Sequence, residues 1–338
     1  MSSDIITLAH GSGSQAMQNL IQKLMVEKFD NSYLKQGEDQ ARIPLAKLSQ
    51  NGKTLAFTTD SFVIDPIEFP GGDIGKLAIC GTANDLAVGG ARPRYLTCSF
   101  ILEEGLAMAT LENIVISMAQ TSKAAGIKIV TGDTKVVGHG CADKIFINTA
   151  GIGTIDHRAK WGMDRICDGD VIITTGTLGD HGAAILNARE NLGLESALLS
   201  DCAVLWPMIE PLLDIDGVHA LRDATRGGVN AILHEFAQTS GFGMQVSETS
   251  LPLSAPVQGM CELLGLDPLN LANEGKLILC VKEQCAADVL DKLHAHPLGQ
   301  DASIIGHVND RNRITIQGQF GIERTLTLPH YEQLPRIC

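Results

Sequence analysis

Two domains of the α/β or α+β class are predicted by three features of this sequence. At 338 residues the chain has the length of about two domains, each able to bury its own core. Both halves mix strand-like and helix-like segments. Between them, from Ile155 to Asp168, runs a polar, turn-rich stretch that carries the boundary. The domains expected are 1–155 and 165–325, followed by a tail over 326–338.

The elements follow in order. Residues 14–29 place Met17, Leu20, Ile21, Leu24 and Met25 at helical spacing. Leu55 to Ile64 is a strand running into Asp60. Gly75 to Val88 is helical and mostly apolar, interrupted at Asn84 and Asp85. "RYLTCSFIL" is a strand, and "TLENIVISMAQTSKAAG" is a helix stopped by Gly126. "IKIVTGDT" and "KIFINTAGIGTI" are two more strands. The second half restarts with "DVIITTGTLGDHGAAIL", a strand, a glycine-rich turn and a helix, and "VHALRDATRGGVNAILHEFA" repeats that scheme. Strands follow at Lys276 to Val281, Ala302 to Val308 and Arg313 to Ile316. The closing "LTLPHYEQLPRIC" has two prolines and no periodicity, so it predicts an extended, flexible tail. Such a tail could reach about 40 Å.

Composition narrows the function. The net charge is −13 with no basic cluster, which speaks against nucleic-acid binding. The first residues lack a basic region followed by a long apolar run, and no stretch has the length of a membrane span. The nine cysteines are odd in number, scattered and never spaced C-x-x-C, which argues against a disulfide framework or a zinc ribbon. A reducing cytoplasm is expected, where the thiol of the last residue, Cys338, stays free.

One arrangement recurs: an apolar strand ends in an aspartate with a hydroxyl residue close behind. It occurs at Asp60-Ser61, at Asp133-Thr134 and at Asp223-Ala224-Thr225. Asp85 adds a carboxylate inside an apolar helix, where an isolated charge is costly. Any one of these reads better as a cap or turn residue. Together they are what Mg²⁺ bound to phosphates needs. Glycine-rich stretches accompany them at "HGSGS" (with Gly11 and Gly13), "GTLGDHG" and "TRGGV". Exposed N–H groups at a helix start suit phosphate oxygens, although none of these stretches is a P-loop or a dinucleotide fingerprint. Lys135 could neutralise phosphate charge or face solvent. Glu274, in "ANEGKL", could be a general base or lie in a surface turn. A terminal thiol on a flexible end behaves as a tethered nucleophile that collects a group in one place and presents it in another.

The segments "HGSGSQAM", "TTDSFVIDP", "GGDIGKLAICGTANDLAVGGARP", "VTGDTKVV", "LRDATRGGVNAILHEF", "LANEGKL" and the final "PRIC" resemble the HypE family of hydrogenase maturation proteins over nearly the whole chain. That family belongs with aminoimidazole ribonucleotide synthetase, selenophosphate synthetase and thiamine-monophosphate kinase. The resemblance implies two PurM-like domains, a homodimer formed through the first domain's sheet, and ATP with Mg²⁺ in the interdomain cleft. It implies that Cys338 receives a carbamoyl group from a HypF-like carbamoyltransferase. ATP-dependent dehydration then leaves a thiocyanate whose nitrile passes to iron on a HypC–HypD complex. Carried over, Asp60, Asp85 and Asp133 hold Mg²⁺. Gly11, Gly13, Thr134, Asp223 and Thr225 join these three around ATP. Lys135 stabilises the transferring phosphoryl, and Glu274 takes the amide proton. The family's usual "HGSGG" is here "HGSGS", which puts the loop's phosphate role at Ser14 in question. Two other readings are a synthetase or kinase acting on a free small molecule, and a metal-delivery scaffold. No cysteine precedes Cys80, unlike the reactive residue expected in selenophosphate synthetases, and the sparse Cys/His pairing suits a scaffold poorly.

Overall fold

A computed structural model describes residues 4–36, 38–193, 198–330 and 334–338. The first domain is built on a four-stranded sheet. Its strands are β1 (Thr54–Phe62), β2 (Ala91–Glu103), β3 (Lys128–Val137) and β4 (Ile145–Ile155), in the order β1-β4-β2-β3. Only β2 and β3 run parallel. Helices α1 (Ile74–Val88) and α2 (Met108–Ala124) pack together, and α1 lies across β1, β4 and β2. The Asp73 carboxylate caps α1 by accepting the N–H groups of Gly75 and Lys76 at 2.7 and 2.9 Å. Gly126, at φ +70°, takes the left-handed conformation that follows α2.

Helix α1 is covered on both sides, because it also packs against Trp206–Ile209 and the strand Val218–Asp223 of the second domain. That explains an apolar helix with almost no exposed face, and it leaves Asn84 and Asp85 needing partners. Asn84 has them: its amide donates to Ala203 O at 2.9 Å and its oxygen accepts from Leu205 N–H at 2.8 Å, tying the domains together.

The second domain carries a seven-stranded sheet. Its strands are β5 (Asp170–Thr174), β6 (Val218–Asp223), β7 (Gly243–Ser247), β8 (Leu277–Lys282), β9 (Ser303–Asn309), β10 (Ile314–Gln317) and β11 (Glu323–Thr325). They lie in the order β11-β10-β7-β9-β5-β8-β6. Helices α3 (Asp180–Glu190) and α4 (Gly228–Ser240) follow the two glycine-rich turns read from the sequence. The 14–29 segment is helical, with a π-helical run over Ile21–Val26 between two α-helical pieces. No described helix is long and apolar enough to cross a membrane.

The tail departs from the extended, flexible arm expected. Tyr331, Glu332 and Gln333 lie outside the described residues. On either side of them the chain is anchored. Leu326 is buried, and its N–H reaches Ile314 O. At the end, Ile337 and Cys338 are buried within the core of the first domain.

Candidate active site

Asp60, Asp85, Asp223, Thr225, Arg226, Glu274 and Cys338 line one cavity of about 250 Å³, together with Thr59 and Gly81. Each arrives from a different element. Asp60 points from β1 toward α1, because β1 alternates and its Thr58, Asp60 and Phe62 face the helix. The sequence placed Asp60 and Asp133 at strand ends. The structure places both inside strands, and only Asp223 ends one. Asp85 comes from the buried face of α1 and accepts a hydrogen bond from the Thr58 hydroxyl at 2.8 Å.

Glu274 is held just ahead of β8 in a turn zipped to the one after β6: Ala224 N–H donates to Lys276 O, and Asn273 N–H to Ala224 O, both at 3.0 Å. Two glycines make these turns possible. Gly228 has φ +62°, and a Cβ there would lie 2.5 Å from Leu269 O. A Cβ on Gly275 would sit 1.9 Å from Asp201 O. The Asp201 carboxylate accepts the N–H groups of Glu274 and Gly275 at 2.9 and 3.2 Å and pairs with the buried Lys276 ammonium at 3.3 Å. Removing one partner of a buried ion pair strands the other charge. Lys276→Met is therefore expected to lose about 3 kcal/mol of stability, seen as a lower Tm in calorimetry. An unchanged Tm would show that Asp201 needs no cation.

The electrostatics are those of crowded, desolvated carboxylates. Burial raises the pKa of Asp60 and of Asp85, and the neighbouring Asp60 charge adds to the rise at Asp85. Burial, then Asp85 and Asp60, push Asp223 to about 7. Glu274 is raised well above the usual carboxylate range by burial and then by Asp223. Its Oε1 is buried with no hydrogen-bond partner among the described residues. Such a group is placed to accept a proton from whatever enters the cavity. The Cys338 thiol is pushed up to about 11 by burial and by Glu274, although Arg226 Nη2 lies 3.1 Å from the sulfur and opposes the rise. At neutral pH this docked sulfur is a protonated thiol and a poor nucleophile.

The remaining candidates form a second group, away from this cavity. The glycine loop lies against β3, with Gly11 packed on Val136 and Gly13 at φ +70°. Asp133 and Lys135 are exposed and paired at 2.6 Å, which lowers the Asp133 pKa. Thr134 is buried between them, and its N–H donates to Asp133 Oδ1 at 2.8 Å. Register explains the separation. Asp60 lies in a row with Thr149, Cys98 and Gly132, whereas Asp133 lies in the row of Ser99, Asn148 and Ser61. Adjacent rows face opposite sides of a sheet. Three strand spacings, about 14 Å, also separate β1 from β3. Within one chain Asp133 therefore does not join Asp60 and Asp85. Ser14 stands at a helix N-cap, but its hydroxyl donates to Ala9 O at 2.6 Å instead of capping.

Both domains match known families. The family model "AIR synthase related protein, N-terminal domain" covers residues 37–155. Its C-terminal counterpart covers residues 168–319. Carbamoyl dehydratase HypE of Escherichia coli (strain K12) is 62% identical over 333 residues, which is 98% of this chain and 99% of that protein. The chain belongs to the HypE family. Solved structures agree with that placement. A hydrogenase maturation protein HypE in complex with ATP superposes with a TM-score of 0.92 at 45% identity, covering 98% of this chain and 99% of that one. A HypE–HypF complex superposes with a TM-score of 0.80 at 44% identity, covering 92% and 99%.

For this HypE-family chain the sequence alone missed Arg226 beside the sulfur, and Asp201 behind Glu274. It also missed His181 and Arg189, which meet the tail. Arg226 directly follows Thr225 in a stretch already singled out, so its position was the available signal. His181 likewise lies inside the singled-out "GTLGDHG", whereas Asp201 and Arg189 carry no local mark.

Proposed function

We propose that this protein dehydrates a carbamoyl group, carried as an S-carboxamide on Cys338, to an S-cyanate at the expense of ATP. Placement of the terminal sulfur in a cavity shared by three aspartates and an unpartnered buried glutamate supports this above all else. The reaction balances as S–C(=O)NH₂ plus ATP giving S–C≡N, ADP, phosphate and a proton. The amide oxygen departs on phosphate.

The residues present fit the phosphate end of a nucleotide with a cation. Asp60, Asp85 and Asp223 are hard oxygen donors, and their mutual repulsion is relieved by positive charge. The cavity is smaller than the roughly 300–1,000 Å³ of sites that enclose a whole ligand, so the base would lie outside it. Among the described residues no three side chains converge on a single ion; Mg²⁺ commonly keeps waters and phosphates as most of its ligands. ATP with Mg²⁺ would supply the phosphoryl group that makes the amide oxygen a leaving group. This chain's residues do the rest. Arg226 orients the sulfur, and Glu274 takes the proton lost by nitrogen.

A docked sulfur with a pKa of about 11 is poorly suited to attack a carbamoyl donor. Loading by a HypF-like transferase therefore belongs to an undocked tail, and so does delivery of the nitrile to a HypC–HypD complex. The test is intact mass spectrometry after incubation with a carbamoyl donor, such a transferase and ATP. The expected record is one carbamoyl adduct on Cys338 that then loses one water. An adduct that never loses water, or one on another cysteine, would overturn the reading.

The protein also forms a homodimer through the open face of its first sheet. Leu55 and Phe57 stand 57% and 70% exposed there, an apolar pair that water disfavours. Asp133 and Lys135 project from the same face, so they belong with that interface. Phe57→Asp is expected to convert the dimer to a monomer in light scattering. A wild-type monomer, or a variant that still dimerises, would contradict this.

A further inference from the structure

The docked tail lies between the two domains, and the second domain's Arg189 and His181 hold it by its backbone carbonyls. From the first domain, Val63 N–H reaches Cys338 O at 3.1 Å and Asp65 N–H reaches Arg336 O at 3.4 Å. From the second domain come two side chains of α3. The Arg189 guanidinium donates to Pro335 O at 2.7 Å, to Arg336 O at 2.8 Å and, through Nε and Nη2, to Asp65 O at 2.8 and 2.6 Å. A rigid fork of donors thus joins the tail to the loop that follows β1. His181 is wholly buried, with Nε2 at 2.8 Å from Ile337 O and Nδ1 at 2.8 Å from Ser200 Oγ. A carbonyl can only accept, so Nε2 carries the proton and Nδ1 accepts from the serine hydroxyl. Arg336 adds its own guanidinium, bonded to Val63 O at 2.9 Å and to Asp143 at 2.6 Å, while holding a left-handed φ of +54°. A non-glycine residue keeps that conformation only when its surroundings fix it.

We propose that Arg189 and His181 are positioning residues that latch the tail inward by its main chain, and so set how long Cys338 stays in the cavity. Among the described residues the sulfur is hydrogen-bonded by Arg226, and neither Arg189 nor His181 bonds to it. The latch is therefore blind to what the sulfur carries. Free, carbamoylated and cyanated tails dock through the same carbonyl contacts. Cargo is distinguished only farther in, at Arg226 and Glu274. Weakening the latch should favour the outward tail, and with it every step that happens outside, while slowing the step that happens inside.

The inference rests on Cys338 being the carrier, but its first test needs neither cargo nor nucleotide. Thiol alkylation of the full chain is followed by peptide mass analysis. The exposed Cys141 and Cys167 serve as internal references, and the buried Cys80 and Cys202 report unfolding. In Arg189→Gln, Cys338 is expected to react about tenfold faster relative to Cys141, since charge-assisted hydrogen bonds are lost. Arg189→Lys should fall between, keeping the charge without the fork. His181→Asn should show the same direction. An unchanged ratio would overturn the latch. So would a rise shared by Cys80 and Cys202, which would assign Arg189 to general stability. A second readout separates the two roles further: Arg189→Gln should be carbamoylated faster by the transferase yet dehydrate more slowly once loaded. Both rates falling together would count against a latch. Should alkylation respond as expected while no dehydration is seen in the wild type, the latch stands and the proposed chemistry fails.

Discussion

Cys338→Ala is expected to acquire neither the carbamoyl adduct nor its dehydrated form, a complete loss in the intact-mass assay. Eight other thiols remain in that variant, so the result depends on position, not on thiol content. Cys141 and Cys167 are exposed and more accessible to any diffusing donor than a buried terminus. Neither lines the carboxylate cavity, so a group attached there would never meet Glu274. The neighbouring Cys80 thiol and then burial push the Cys202 pKa well up, and a fully buried, protonated thiol does not react. Cys141→Ser and Cys167→Ser should keep both adducts. A Cys338→Ala protein that still gained and then lost mass would place the chemistry elsewhere.

Much of this architecture could be read from local pattern, and what could not be read depended on pairing between distant segments. The strands around Ile147, Ile172 and Leu279 are apolar runs bounded by turns, so they announce themselves. The strand Gly243–Ser247 does not. It contains a glycine and a glutamine, and it is a strand because β9 and β10 flank it on both sides. β2 begins at Ala91, three residues before its sequence reading, because β3 pairs only from Tyr95 onward and leaves Pro93 a strand side where no N–H is required. The site shows the same division. Asp60 and Asp133 occupy near-identical contexts, "TTDS" and "TGDT", yet the register sends them to opposite faces. No local property distinguishes them. Glu274 was recognisable as a carboxylate at a strand entry, but its burial comes from Asp201 and the turn at Ala224, both far away in sequence. The tail lacks periodicity, which suggests an unrestrained arm. Its docking is visible only once Arg189 and His181 are folded beside it.

Glu274→Gln should load normally and then stall, so that the carbamoyl adduct accumulates instead of appearing transiently. Glutamine keeps the shape of the side chain, and the bond that positions this turn, from Glu274 N–H to Asp201, belongs to the backbone. What is lost is the ability to take a proton. General-base removal commonly costs about 10²–10⁴ in rate, or about 3–5 kcal/mol of barrier. The pH dependence gives this a sign. Because burial raises the Glu274 pKa, the wild-type enzyme holds it protonated at low pH, and dehydration should accelerate as pH rises through that raised value. The variant's residual rate should lack this limb. Stability should move the opposite way. A carboxyl whose folded pKa exceeds its unfolded pKa favours the fold at low pH, and that advantage is lost as pH rises through the folded value. Glutamine carries no such dependence. Glu274→Gln should therefore match or exceed the wild-type Tm at alkaline pH while being catalytically crippled there. A variant that dehydrates at the wild-type rate would remove Glu274 from the role of base. One that stalls only because it has unfolded would show the opposite Tm change, so calorimetry at two pH values separates chemistry from folding.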